Sequence, residues 1–270
     1  MDWIEAVTHL RSEGVAHVLV TVIDVRGHAP RESGTKMVVS GTASWGSIGG
    51  GNMEITAVER ARALLRERAD APEMMDVGLT EHVSTEHGRQ CCGGQVRLLL
   101  EPIGVRQTVV LFGLGHVGLE LARIACRLDI ALHLVDSRPE ILTPAQRADL
   151  QGGHASVLFH HPAAPETVLT TPGLLPDDAH VLVLTHDHAE DIAICDMALR
   201  RPLGSIGLIG SRAKWGRFRL RLHQVGHDDA ALERITCPIG VGDITGKHPA
   251  VIAVSAAADL LRVLQKAQAR

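Results

Sequence analysis

The sequence predicts an α/β protein, with an N-terminal α/β module followed by a Rossmann-like, doubly wound parallel sheet. Three observations carry that expectation. From about residue 105 onward, short Val/Ile/Leu-rich runs alternate with stretches of helical period, the pattern of βαβ units. A Gly-x-Gly-x-x-Gly run, Gly113-Leu114-Gly115-His116-Val117-Gly118, stands between one such strand and one such helix. Hydrophobic residues make up 45% of the 270 positions, which favours buried cores over disorder.

Taken in order, Trp3, Val7 and Leu10 recur at helical spacing, so the chain opens with an amphipathic helix that Gly14 ends. Residues 17–25 are rich in Val, Leu, Ile and Thr and read as a strand. Gly27-His28-Ala29-Pro30-Arg31-Glu32-Ser33-Gly34 reads as a loop, and residues 36–39 as a second strand. Ser47-Ile48-Gly49-Gly50-Gly51-Asn52 precedes a helix over about 53–68, with Ile55, Val58, Ala61 and Leu65 expected inward. Residues 96–100 form another strand, and Pro102-Ile103-Gly104 mark a boundary, so the first module spans 1–104. Beyond it, strands are expected at 108–112, 131–135, 156–159, 181–184 and 206–209, with helices between. The first of those helices presents Val117, Leu121, Ile124 and Leu128 on one face. A last helix begins near Pro249, a residue suited to a first helical position, with Val251, Val254, Ala258 and Leu261 expected inward.

Composition narrows the function classes. The net charge of -4, with no long Lys/Arg run, argues against a nucleic-acid footprint. Aromatic residues at 2%, with no Tyr, leave few rings for single strands to stack on. Five cysteines, two of them adjacent, do not read as a disulfide framework, so a reducing cytoplasmic location is expected. No signal-peptide pattern opens the chain, and no apolar run reaches about 18 residues, so no membrane association is expected. A homo-oligomer is the expected assembly.

Several motifs could carry chemistry. In the glycine run, Gly113, Gly115 and Gly118 allow a tight turn and close approach of a phosphate to the helix N-terminus, and Asp136 ends the next strand where a ribose acceptor would stand. Binding of NAD(P) or another nucleotide is one reading, and helix–strand packing alone is the other. Asp136 favours a free ribose, whereas nearby Arg138 weakens that preference. A second glycine run, Gly49, Gly50 and Gly51, could gather amides around an anion, with Arg31 and Lys36 supplying charge and Glu54 taking a ring donor or capping the helix. It could equally be a turn with a good cap. Cys91-Cys92-Gly93-Gly94 offers an accessible thiol that Arg89 or amides could activate, or an inert buried one, while Cys126 and Cys195 read as core. Thr185-His186-Asp187-His188-Ala189-Glu190-Asp191 follows a strand, and His186, His188 and Asp191 could hold zinc or simply start a helix. Ser211-Arg212-Ala213-Lys214 follows another strand end and could face an anion or begin a solvated helix.

Together these segments resemble the xanthine dehydrogenase accessory proteins of the XdhC type. The resemblance runs in order through Gly27 to Arg31, Gly34 to Val38, Gly49-Gly50-Gly51 with Glu54, Cys92-Gly93-Gly94 leading to Glu101-Pro102, the Gly113 loop with Asp136 and Arg138, and Thr185-His186-Asp187-His188. It continues through Leu208 to Arg212 with Lys214 and Arg217-Phe218, Cys237-Pro238-Ile239-Gly240, and Ala253-Val254-Ser255. His28, where a small hydroxyl residue is usual, and His248-Pro249-Ala250-Val251, in place of a Thr-Pro-Glu-Glu start, depart from the pattern. The resemblance implies a Rossmann-like domain over 105–234 and a C-terminal segment, 235–270, that packs on the first module. It implies a chaperone, rather than an enzyme, that binds molybdenum cofactor (molybdopterin) and delivers it, after sulfuration by a cysteine desulfurase, to a xanthine dehydrogenase-type molybdoenzyme. On that reading Arg31 and the Gly49 to Gly51 amides hold the phosphate, and Cys92 is the sulfur ligand near the metal. The rival readings are an NAD(P)-dependent oxidoreductase with His186 or Lys214 as acid or base, and a metal-dependent hydrolase built on His186, His188 and Asp191.

Overall fold

The spacing of apolar residues changes near residue 106, and the architecture changes with it. A computed structural model of the chain, describing residues 1–67, 69–78 and 94–268, divides there into two units, Met1–Arg106 and Gln107–Arg270.

The first unit runs α1 (Trp3–Ser12), β1 (His17–Arg26), β2 (Lys36–Ser40), β3 (Ser44–Gly46), α2 (Gly51–Glu67), β4 (Glu73–Gly78) and β5 (Gln95–Ile103). Its strands form one antiparallel sheet in the order β3-β2-β1-β5-β4. The period-2 alternation of β1 and β2 decides which helix meets which face. Val18, Val20, Val22, Met37 and Val39 pack under α2, while Val38 meets Ala6 and Leu10 of α1. Asp2 and Glu5 close a reciprocal cap on α1, each side chain accepting from the other's backbone amide at 2.8–2.9 Å.

On α2, Ala61 is buried and Val58 and Leu65 pack against the core as expected, whereas Ile55 is 44% exposed and Met53, Ala57 and Leu64 complete the buried face. The small alanines let the helix lie close to the sheet, so contact area outweighs the size of any one side chain. Strands β3 and β4 were not expected. They sit at the two edges of the sheet, where burial is partial and the apolar signal weak.

The second unit runs β6 (Thr108–Phe112), α3 (His116–Ala125), β7 (Ala131–Val135), α4 (Pro144–Gln151), β8 (Ser156–His160), a 3₁₀ turn (Pro165–Leu169), β9 (His180–Val183), α5 (His188–Leu199), β10 (Ser205–Leu208), α6 (Arg212–Gln224), α7 (Asp229–Leu232), β11 (Ile235–Thr236) and α8 (Pro249–Gln268). All six strands are parallel, in the order β11-β10-β9-β6-β7-β8. Central β6 is buried along its whole length, and its residues alternate between two cores. Val109 and Leu111 join α3, α4 and α8 on one face, while Val110 and Phe112 join α5, α6 and α7 on the other. This is the doubly wound arrangement that the unbroken apolar run of β6 requires.

The C-terminal segment is part of this second unit. Helix α8 contributes Ala253, Ala256, Ala257, Leu260 and Leu264 to the core that holds Leu121 and Ala122 of α3. The side-chain Nε2 of Gln107 donates to the Leu264 carbonyl at 3.1 Å. Val254 and Leu261, expected inward, are 52% and 39% exposed. Again a face of alanines, permitting close helix packing, is chosen over the branched residues. No helix among the described residues is long and apolar enough to cross a membrane.

A buried histidine pair ties β7 to β8. His133 Nδ1 lies 3.0 Å from His160 Nε2, which requires one ring to donate and the other to accept. Burial, and then the neighbouring His160, push His133 down to about 4, and burial also lowers His160. The unfolded chain takes up protons below its ordinary value of 6.5, before the folded chain does. Stability is therefore greatest above pH 6.5 and falls as pH drops towards 4, by up to about 3 kcal/mol for His133. Urea titrations across this range will show that slope in the native protein and a flatter one in His133→Leu.

The glycine loop makes a sharper test. A Cβ on Gly118 would lie 1.9 Å from the Gly113 carbonyl oxygen, whereas one on Gly115 would meet nothing within 4 Å. Gly118→Ala is expected to lower unfolding free energy by about 1–3 kcal/mol or more, and Gly115→Ala by under about 1 kcal/mol, in urea denaturation.

Candidate functional site

In the first unit, the turn between β3 and α2 places Gly49, Gly50 and Gly51 at φ of 129°, 72° and 63°, which only glycine adopts without strain. The gathered amides are already occupied. Ile48 and Gly50 donate to the Glu54 carboxylate at 3.1 and 3.0 Å, the Ser47 hydroxyl donates to it at 2.6 Å, and the Gly49 amide donates to the Ser47 oxygen at 3.2 Å. The expected open cradle for phosphate is thus corrected. A carboxylate from the first turn of α2 fills it, where helix-terminal amides favour negative charge. Ser47 was not singled out in the sequence, although a hydroxyl before a glycine run and an acid in the next helical turn together signal such a cap.

Two of these segments converge on the loop after β1. A Cβ on Gly49 would lie 2.4 Å from Pro30 Cγ and 3.4 Å from Arg31 Cγ. A Cβ on Gly94 would lie 2.2 Å from the His28 carbonyl oxygen and 2.9 Å from that of Arg26. The 27–31 loop therefore lies between two glycines that admit no side chain. Arg31 is exposed and has no carboxylate partner among the described residues. Lys36 is turned away, donating to Thr21 Oγ1 at 2.8 Å and lying 5.6 Å from the Trp3 ring. Cys92, the expected sulfur ligand, and Gly93 lie outside the described residues.

In the second unit, the glycine loop lies between β6 and α3. Gly113 packs on the Leu184 carbonyl, and the α3 N-terminus at Gly115 has no side-chain cap. Asp136, just past β7, is 4% exposed. Its carboxylate accepts from the Leu114 amide at 2.7 Å, the Arg138 amide at 3.0 Å, and the Arg138 guanidinium at 2.8 Å on each oxygen. Burial raises its pKa, but the bonds from Arg138 and the two amides outweigh burial and hold it below the usual carboxylate value. Ser137 donates to Glu190 Oε1 at 2.7 Å.

The histidine loop does not assemble a metal centre. Among the described residues no three His, Cys, Asp or Glu groups are placed to hold an ion. Asp191 is 0% exposed and is held by Lys214 Nζ at 2.6 Å and by Thr185 Oγ1 at 2.7 Å. Asp187 caps α5 through the Ala189 amide, and His188 lies edge-on to Phe218. His186 is exposed. The set of His186, His188 and Asp191 fails because the buried carboxylate takes the nearest cation available, Lys214, which is also removed as a free acid or base. Ser211 accepts from the Lys214 amide at 3.2 Å as the cap of α6, so its oxygen serves the helix, and Arg212 is exposed in the first turn. Cys126 and Cys195 are buried, as expected, and burial raises both thiols.

With these contacts placed, the comparisons with known proteins can be read. A family model described as the XdhC Rossmann domain matches residues 109–260, more than half of the chain, and a second, XdhC and CoxI family, matches residues 10–78. The chain belongs to the XdhC family. The chain is 27% identical over 258 residues to the uncharacterized protein YqeB of Escherichia coli (strain K12), covering 96% of this chain and 45% of that protein. It thus spans less than half the length of that relative. A crystal structure described as a xanthine dehydrogenase from Bacillus halodurans is 19% identical, with a TM-score of 0.48, over 98% of this chain and 96% of that one.

The Asp191–Lys214 pair gives a direct test. Lys214→Met strands a buried carboxylate and is expected to cost about 3–5 kcal/mol in urea unfolding, while adding Asp191→Leu restores most of the loss.

Proposed function

We propose that this XdhC-family chain binds molybdenum cofactor, shields it, and passes it, once sulfurated, to a xanthine dehydrogenase-type enzyme. Family membership supports the accessory role. The observation that carries the cofactor reading is the 27–31 loop, pinched between Gly49 and Gly94, with Arg31 exposed and without a carboxylate partner among the described residues. The cofactor is cargo here. Its phosphate pairs with Arg31 through charge-assisted hydrogen bonds. The Ile48 and Gly50 amides take no part while Glu54 holds them. The absent side chains at Gly49 and Gly94 let the loop that carries Arg31 pack directly on backbone, which fixes where the arginine stands.

Cys92 stands two positions before Gly94 in the sequence and is the proposed thiolate toward the metal or its sulfur, a soft ligand for a soft site. A cysteine desulfurase is the proposed partner for sulfuration. The role is carriage without turnover, which needs an affinity low enough to release.

The test is to purify the chain from cells that make the cofactor, denature it, and read pterin fluorescence. The native chain is expected to carry pterin. Arg31→Glu should lower retention by about tenfold or more, the loss of one charge-assisted contact, and Cys92→Ala should lower it as well. Arg212→Glu, in the second unit, should leave it unchanged. A native chain free of pterin, or full retention by Arg31→Glu, overturns the proposal.

A further inference from the structure

The six-stranded sheet offers the usual place for a dinucleotide. Its order turns at β6, flanked by β9 and β7, and ligands of such sheets bind in the crevice at the strands' carboxyl ends. The phosphate end of that crevice is open. The N-terminus of α3 is uncapped, and nothing lies within 4 Å of a Cβ built on Gly115. The ribose end differs. A carboxylate has about four acceptor directions. Asp136 accepts four hydrogen bonds, one from Leu114 and three from Arg138, and its side chain is 3% exposed. No direction remains for the two hydroxyls of a ribose.

A second contact runs across the same crevice. Ser137 follows β7 and Glu190 lies in the first turn of α5, which follows β9, so their 2.7 Å hydrogen bond passes over the end of β6. Arg138 also feels Glu190, which adds to the attraction holding its charge.

We propose that Arg138 closes the second unit to dinucleotides with a free ribose, by spending Asp136 within the fold. The Rossmann-like unit of this chain is then self-liganded at its adenosine end, and the Ser137–Glu190 contact bridges what the arginine closes. An incoming diol must displace a bidentate guanidinium from a buried carboxylate, exchanging a charged partner for neutral ones. The phosphate end alone cannot select a nucleotide, because helix-terminal amides serve any small anion. This inference concerns the second unit and holds independently of what the first unit carries.

The experiment titrates the full chain and its variants with NADH, following nicotinamide fluorescence and heat. The native chain is expected to show no saturable binding at millimolar concentration. Arg138→Ala frees one acceptor direction on each oxygen of Asp136, the backbone amides of Leu114 and residue 138 keeping theirs, and should bind NADH at least about tenfold more tightly than the native chain. Ser137→Ala, which opens only the bridge, should gain none. Thermal unfolding checks that each variant is folded, and Arg138→Met, which keeps the aliphatic stem, carries the same test if the alanine variant is not. Saturable micromolar binding by the native chain, no gain in a folded Arg138 variant, or a gain from Ser137→Ala alone would each overturn the assignment.

Discussion

Amides gathered at the start of a helix must find an acceptor, and in both units the chain supplies one of its own. In the first, the turn at Gly49 to Gly51 aims Ile48 and Gly50 at Glu54. In the second, the loop after Gly113 aims Leu114 at Asp136. Each turn is thus held by an internal carboxylate, although the first turn of α3 itself keeps no side-chain cap. The local geometry that identifies an anion cradle in a sequence is the same geometry that a well-capped turn needs.

The remaining charges follow from that choice. Asp136, once buried, needs a counter-charge and takes Arg138. Asp191, buried in the first turn of α5, takes Lys214 from α6. The second pair joins the helices that follow β9 and β10, the first fixes the loop after β7, and together they satisfy several of the residues that looked chemical. In the first unit, by contrast, Arg31 stands outside any such pair among the described residues, on a loop that packs against two glycines. On the function proposed above, this contrast assigns the charged cargo to the first unit.

Much of the fold was legible. The unbroken apolar run of β6, the strand–glycine–helix order after it, and the strands at 131–135 and 156–159 all stand where periodicity put them. The faces of α2 and α8 were partly misjudged for one reason. Branched residues such as Ile55, Val254 and Leu261 attract attention by their size, yet the alanine-rich faces pack better because they let the backbones approach. Edge strands β3 and β4 and the two-residue β11 carry too little apolar signal to be seen. Among the candidate site residues, their identity and their placement at strand ends were readable, but their partners were not. Arg138 was visible as a neighbour of Asp136, not as the group that saturates it, and His186, His188 and Asp191 looked like a ligand set until Lys214 arrived from 23 residues away.

By itself, the sequence determined the α/β class, the glycine turns, the strands of the parallel sheet and the family to which the chain belongs, because these depend on local period and on motifs read in order. Tertiary structure alone decided which acid each turn's amides would meet, which cation each buried acid would keep, and that Gly49 and Gly94 would grip the same loop. Hydrogen bonds and ion pairs act over a few ångströms of space, and separation along the chain says little about which groups the fold brings within that reach.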